Sequence, residues 1–135
     1  MLKNFLEMPR WLKLLTVASF AVPVLALAKP FSGIGVFGED IDPSTWWRTG
    51  SGLAFILPAL IMGLSAVLLL RRSQYGRPTQ VVGWVAMTVG TYVAAHLMQI
   101  NPPMLIPGIA FNSGITLCIA IYLYFNKDVR SYFKK

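Results

Sequence analysis

The placement of charge along the chain constrains its fold more than any motif does. Residues 49–70 contain no Asp, Glu, Lys or Arg, and neither do residues 78–126. In water both runs would have to be buried, and a body of 135 residues has too little interior for that. Charged residues make up 13% of the chain against 56% hydrophobic, with a mean hydropathy of +0.61. Soluble domains carry roughly 25% charge, so a compact water-soluble fold is disfavoured and intrinsic disorder is excluded. Lipid is the expected solvent for most of the polypeptide.

A spanning helix needs ~20 residues at ~1.5 Å rise each. The first gap, 22 positions, holds one. The second, 49 positions, is broken by Asn101-Pro102-Pro103, which stops a helix and places a tight turn between two spans. A further candidate lies between Lys13 and Lys29, where 15 uncharged residues reach membrane length only with Trp11 and a snorkelling Lys13. The sequence therefore predicts an all-α, polytopic membrane protein, a four-helix up-down bundle forming a single domain. Its spans are 11–28, 50–70, 80–100 and 104–125, with an outer loop at 29–49, an inner hairpin at 71–79 and a basic C-terminal tail at 126–135. A β-barrel would need short segments of alternating polarity, whereas Ile56 to Leu70 is almost continuously apolar. Residues 1–28 also fit a secretory leader, with Lys3, Arg10 and Lys13 before an apolar stretch that ends Ala26-Leu27-Ala28. The length of that segment, and Glu7 and Pro9 within it, favour an uncleaved span. On either reading Lys29 falls on the far side of the membrane.

The net charge of +7, from 12 basic and 5 acidic residues, reads as a topology signal. With the N-terminus cytoplasmic, ten of the twelve basic residues fall on the inner side, leaving Lys29 and Arg48 outside, as the inside bias of Lys and Arg requires. Both termini are then cytoplasmic, in a cell inner membrane, and the charge needs anionic lipid headgroups but no nucleic acid. Tryptophans fall at the same boundaries: Trp11 and Trp84 at the inner interface, Trp46 and Trp47 at the outer. Indole suits that depth because its ring is apolar while its N–H seeks water.

In the outer loop, Glu39, Asp40 and Asp42 suggest either a divalent-cation site or a solvated acidic end with Asp42 as an N-cap before Pro43. The absence of fixed ligand spacing favours the cap. Small residues recur every four positions: Ala86, Gly90 and Ala94 on the third span, Ala110, Gly114 and Cys118 on the fourth, Ala59 and Gly63 on the second. Because apolar tails compete equally for apolar side chains, helices associate in lipid through close backbone approach at such stripes. The third and fourth spans, joined by the shortest turn, are expected to pack along theirs.

One constellation stands out inside the spans. Thr88, Tyr92 and His96 share a helical face with Gln99 one turn beyond, and Asn112 and Thr116 form a polar face on the next span at similar depth. Tyr92, His96, Gln99, Asn112 and Thr116 could form a substrate, quinone or proton site, or a set of interhelical hydrogen bonds near the outer interface; the second reading is favoured.

Catalysis is not expected. One histidine and one cysteine supply neither a zinc site nor bis-histidine haem ligation, and no cysteine pair, catalytic triad order or phosphate-cradling glycine loop occurs. Neither cofactor nor metal is expected. The expected partners are the bilayer and a membrane protein or a second copy, in an accessory, regulatory or immunity-type role. The alternative is a small oligomeric transporter or channel using the polar site between spans three and four, although no carboxylate lies within a span to couple ions.

Overall fold

The computed structural model describes residues 1–31, 34–36, 39–100 and 105–134. It is predominantly helical: α1 (Leu2–Glu7), α2 (Arg10–Ala28), α3 (Pro43–Arg48), α4 (Ser51–Leu70), α5 (Gly76–Leu97), α6 (Leu105–Phe125) and α7 (Lys127–Tyr132). A single 3-10 turn at Lys29–Phe31 leads to a small antiparallel ribbon, β1 (Ile34–Val36) and β2 (Glu39–Ile41), with Gly35 opposite Asp40.

Among the described residues, three helices are long and apolar enough to cross a membrane: α2, α4 and α6. The predicted third span coincides with α5, which has 22 residues, as long as any of these. Its apolarity is diluted by Gln80, Thr88, Thr91, Tyr92 and His96. The predicted turn at Asn101-Pro102-Pro103 lies outside the described residues.

α4 is the central element, packed between α2 and α5. Its contact with antiparallel α5 follows small residues at seven-residue intervals, Gly76, Gly83 and Gly90 on α5 facing Leu69, Met62 and Ala54 on α4. A seven-residue repeat keeps one seam facing the partner. Pro58 lies inside α4 and has no N–H to offer the carbonyl of Ala54, one turn earlier. Gly90 lies against that carbonyl so closely that any β-carbon there would overlap it, and the glycine backbone thereby covers a polar group that lipid could not solvate. Ser51 closes the same seam by donating from Oγ to the carbonyl of Ala94, 3.2 Å. On the other side of α4, Pro23 of α2 rests in the hollow over Gly63.

The small residues of α5 thus face α4, not α6 as the sequence stripes suggested. Gly90 and Ala94 are buried there and Ala86 is half-buried, whereas Ala110, Gly114 and Cys118 on α6 are exposed, with open space above Gly114. The reason is periodicity: the seven-residue repeat on α5 matches α4, whose Gly52, Ala59 and Ala66 are buried at the same interval, and α4 claims that face.

Both chain ends meet the α4–α5 turn at one end of the bundle. Met8, Leu12, Leu69, Leu123, Val129 and Tyr132 form a core there, contributed by α2, α4, α6, α7 and the α1–α2 junction. Residues 127–132, predicted as tail, are a helix capped by Asn126 Oδ1, which accepts from the N–H of Asp128 at 2.9 Å and of Val129 at 3.2 Å. At the other end Trp46 is fully buried against Ala95 and Ile100, edge-on to Phe55. It plugs the bundle rather than lying at the lipid interface, because α3 folds back beside the start of α4. Trp11 and Trp47 are exposed and Trp84 is half-buried.

The two small-residue faces predict opposite outcomes for one substitution. Gly90→Leu should cost roughly 2 kcal/mol through overpacking, and Gly114→Leu under about 0.5 kcal/mol. Thermal melts of both variants in the same detergent check this.

Candidate functional site

Polar side chains within the helical segments gather in two places. The first joins three helices. Gln80 of α5 is fully buried between Ser19 of α2 and Ser65 of α4. Its Nε2 donates to Ser19 Oγ at 2.8 Å, and its Oε1 accepts from Ser65 Oγ. Each serine also lies within reach of a carbonyl of its own helix, Ser19 of Leu15 at 2.8 Å and Ser65 of Met62 at 2.6 Å. In the sequence Gln80 stands at the first position of the span expected over 80–100. The missed signal is phase, since Gln80 falls at alternating four- and three-residue steps with Gly76, Gly83, Met87, Gly90 and Ala94, on the face turned to α4.

The second place is the cleft between α5 and α6, where the sequence located its candidate cluster. Tyr92 and Asn112 line one cavity of about 210 Å³ together with Trp84, Met87, Thr88 and Thr91. Tyr92 and His96 line an adjoining apolar depression of about 390 Å³ with Ile109. The Tyr92 hydroxyl packs against Gly108, where a β-carbon would displace it. Asn112 Nδ2 donates to the carbonyl of Gly108 at 3.1 Å, and Thr116 Oγ1 to that of Asn112 at 2.8 Å, both within α6. Thr88 and Thr91 likewise donate to carbonyls of α5. Asn112 and the three threonines thus bond carbonyls of their own helices.

Tyr92, His96 and Asn112 therefore border one cleft, whereas Thr116 is bonded along its own helix and Gln99 lies beyond the end of α5. Gln99 has φ of 59°. It ends the helix with paired bonds, its N–H to the carbonyl of His96 at 3.0 Å and the N–H of Ile100 to that of Ala95 at 3.0 Å. A left-handed residue at this position satisfies the last carbonyls of a helix. His96 is exposed and forms no ion pair among the described residues. Among the described residues the buried indole N–H of Trp84, whose side chain lines the smaller cavity with Asn112, has no hydrogen-bond partner. That suits water or a small hydrogen-bonding guest rather than covalent chemistry. Among the described residues, no three His, Cys, Asp or Glu side chains converge on a possible metal position.

The loops are organised by charge. Arg72 pairs with Glu7 of α1 and stacks 4.8 Å over the ring of Tyr132, and Arg77 lies 4.3 Å over Phe133. Burial raises the Tyr132 phenol above its ordinary pKa, partly opposed by Arg72. Arg72 and Arg77 thus clamp α1 and α7 onto the bundle. At the opposite end Asp42 caps α3, accepting from the N–H of Ser44 at 2.9 Å and of Thr45 at 3.3 Å. These bonds, led by the Ser44 hydroxyl, lower its pKa.

No protein-family model, curated protein or solved structure matches this chain.

The Gln80 junction predicts an asymmetry. Gln80→Leu leaves both serines able to bond their own helices, so it should cost about 1 kcal/mol, the worth of two interhelical bonds at ~0.6 kcal/mol each. The double change Ser19→Ala with Ser65→Ala strands a buried amide and should cost about 2 kcal/mol. Adding Gln80→Leu to that double variant should recover stability, read by unfolding in detergent.

Proposed function

We propose that the chain is a multi-pass protein of a cell inner membrane, with α2, α4, α5 and α6 as four spans in up-down order and both termini cytoplasmic. In this reading it acts without catalysis, as an accessory, regulatory or immunity-type partner of a membrane complex. Support for α5 as a span is its length, about 33 Å at 1.5 Å per residue, and the burial of the Gln80 amide against α2 and α4 instead of lipid. The meeting of both termini with the α4–α5 turn agrees with an even number of crossings, and the basic residues then lie on the side that the inside bias favours.

The observation that carries the functional reading is the incompleteness of α6. Over Ile106–Phe125 the one buried residue is Leu123, against nine over Ser51–Leu70. Ala110, Gly114 and Cys118 form a face of small side chains that no described helix covers. In lipid such a face gains by admitting another backbone, so a membrane-protein partner, or a second copy, would complete it. A second reading, a small oligomeric transporter or channel, draws on the cavity shared by Tyr92 and Asn112.

Purification in mild detergent from cells expressing the chain at native level should bring down a partner or a second copy in fixed ratio. Gly114→Leu should abolish that association without loss of fold. A monomer with no partner, before and after crosslinking, would defeat the proposal. Solute flux in liposomes that responds to both His96→Ala and Asn112→Ala would favour the second reading.

A further inference from the structure

Two recesses meet at the end of the bundle that holds both termini. One is polar, about 410 Å³, formed where the α1–α2 junction faces the α6–α7 junction, and its lining includes Arg10, Asp128 and Ser131. The other is an apolar groove of about 520 Å³ running between α2 and α6 along Leu14, Leu15 and Ala18 on one wall and Cys118 and Ile119 on the other. Trp11 and Tyr122 line both, so the two are continuous. The groove extends along α2 for about 10 Å, from Trp11 to Ala18 at 1.5 Å per residue.

Charge in the polar recess is arranged in an unusual way for so small a space. Glu7 is held by Arg72, but Arg10 and Asp128 form no salt bridge with each other or with any other described residue. Both are exposed. A cation and an anion are thus presented separately at the mouth of an apolar channel. Tryptophan and tyrosine at the junction mark the depth at which headgroups lie.

We propose that this composite recess binds one phospholipid with a primary-ammonium zwitterionic headgroup, of the phosphatidylethanolamine class. The phosphate pairs with Arg10, the ammonium donates to Asp128, and one acyl chain follows the groove between α2 and α6. The groove itself cannot discriminate, because an acyl chain is equally well solvated by its neighbours in the bilayer. Selectivity therefore resides in the headgroup. A glycerol headgroup can donate a hydroxyl to Asp128 but brings no positive charge to pair with it, while a quaternary choline carries the charge but has no N–H to donate. The groove shares Cys118 with the small-residue face of the partner reading, but the inference rests on the headgroup charges of Arg10 and Asp128, and its test reads the headgroup and not association.

The test is native mass spectrometry of the full-length chain after delipidation and exposure to equal amounts of phosphatidylethanolamine, phosphatidylcholine and phosphatidylglycerol of the same acyl composition. The expected result is retention of phosphatidylethanolamine roughly threefold over the other two, the scale of one solvent-exposed charge pair. Asp128→Asn should remove the preference over phosphatidylcholine, Asp128→Glu should keep it, and Arg10→Gln should lower retention of all three lipids. Ala18→Trp, which fills the exposed groove, should do the same. Equal retention of the three headgroups by the unsubstituted chain would overturn the proposal, as would preferential retention of phosphatidylglycerol or a preference that survives Asp128→Asn. A protein found in the groove in place of lipid would overturn it equally.

Discussion

The contact between α4 and α5 is the one on which the rest of the structure depends. In hydrocarbon a carbonyl without a partner costs several kcal/mol, and Pro58 leaves the carbonyl of Ala54 in that position. Gly90 answers it by bringing backbone where any other residue would bring a side chain. With this point fixed, Gly83 and Gly76 follow two and four turns away in the same seam, and Gln80 is carried into the centre, where it reaches α2 and α4 together. Dispersion along the glycine seam supplies close packing, and the buried amide sets which helix is the third.

That arrangement explains why α6 is held so loosely. The α5 face rich in glycine is spent on α4, leaving α6 to meet α5 through Tyr92 against Gly108 and to anchor its far end through Leu123 in the core near the termini. Between those attachments it is flanked by recesses on both sides. A helix anchored at its ends and open along its length is suited to receiving lipid or another helix, and both functional proposals follow from this one property.

Much of the architecture was legible in the sequence because lipid enforces a coarse rule. The uncharged stretches around α2, α4 and α6 correspond to the three membrane-competent helices, and the Asp42-Pro43 pair begins α3 with the cap that its residue types favour. Neighbour choice was not legible from the four-residue stripes. Ala110, Gly114 and Cys118 look as ready for packing as Gly83 and Gly90, and only the seven-residue phase shared by α4 and α5 separates them. Gln80 escaped notice because hydropathy scores it as a boundary residue, and α7 because six residues of mixed charge carry too weak a periodicity to announce a helix. Of the candidate cluster, Tyr92, His96 and Asn112 share a cleft; Gln99 could not be placed from the sequence, since its left-handed backbone is a property of how α5 ends.

In the proposed topology α4 and α5 cross the bilayer as an antiparallel pair, with their shared turn on the side of both termini. Single cysteines introduced at Gln74 and Gln99, the two exposed ends of α5, in a Cys118→Ser background test this in intact cells with a membrane-impermeant maleimide. The account predicts that Gln99→Cys is labelled at once and Gln74→Cys only after permeabilisation. Labelling of both positions from the same side would show that α5 does not cross and would contradict it.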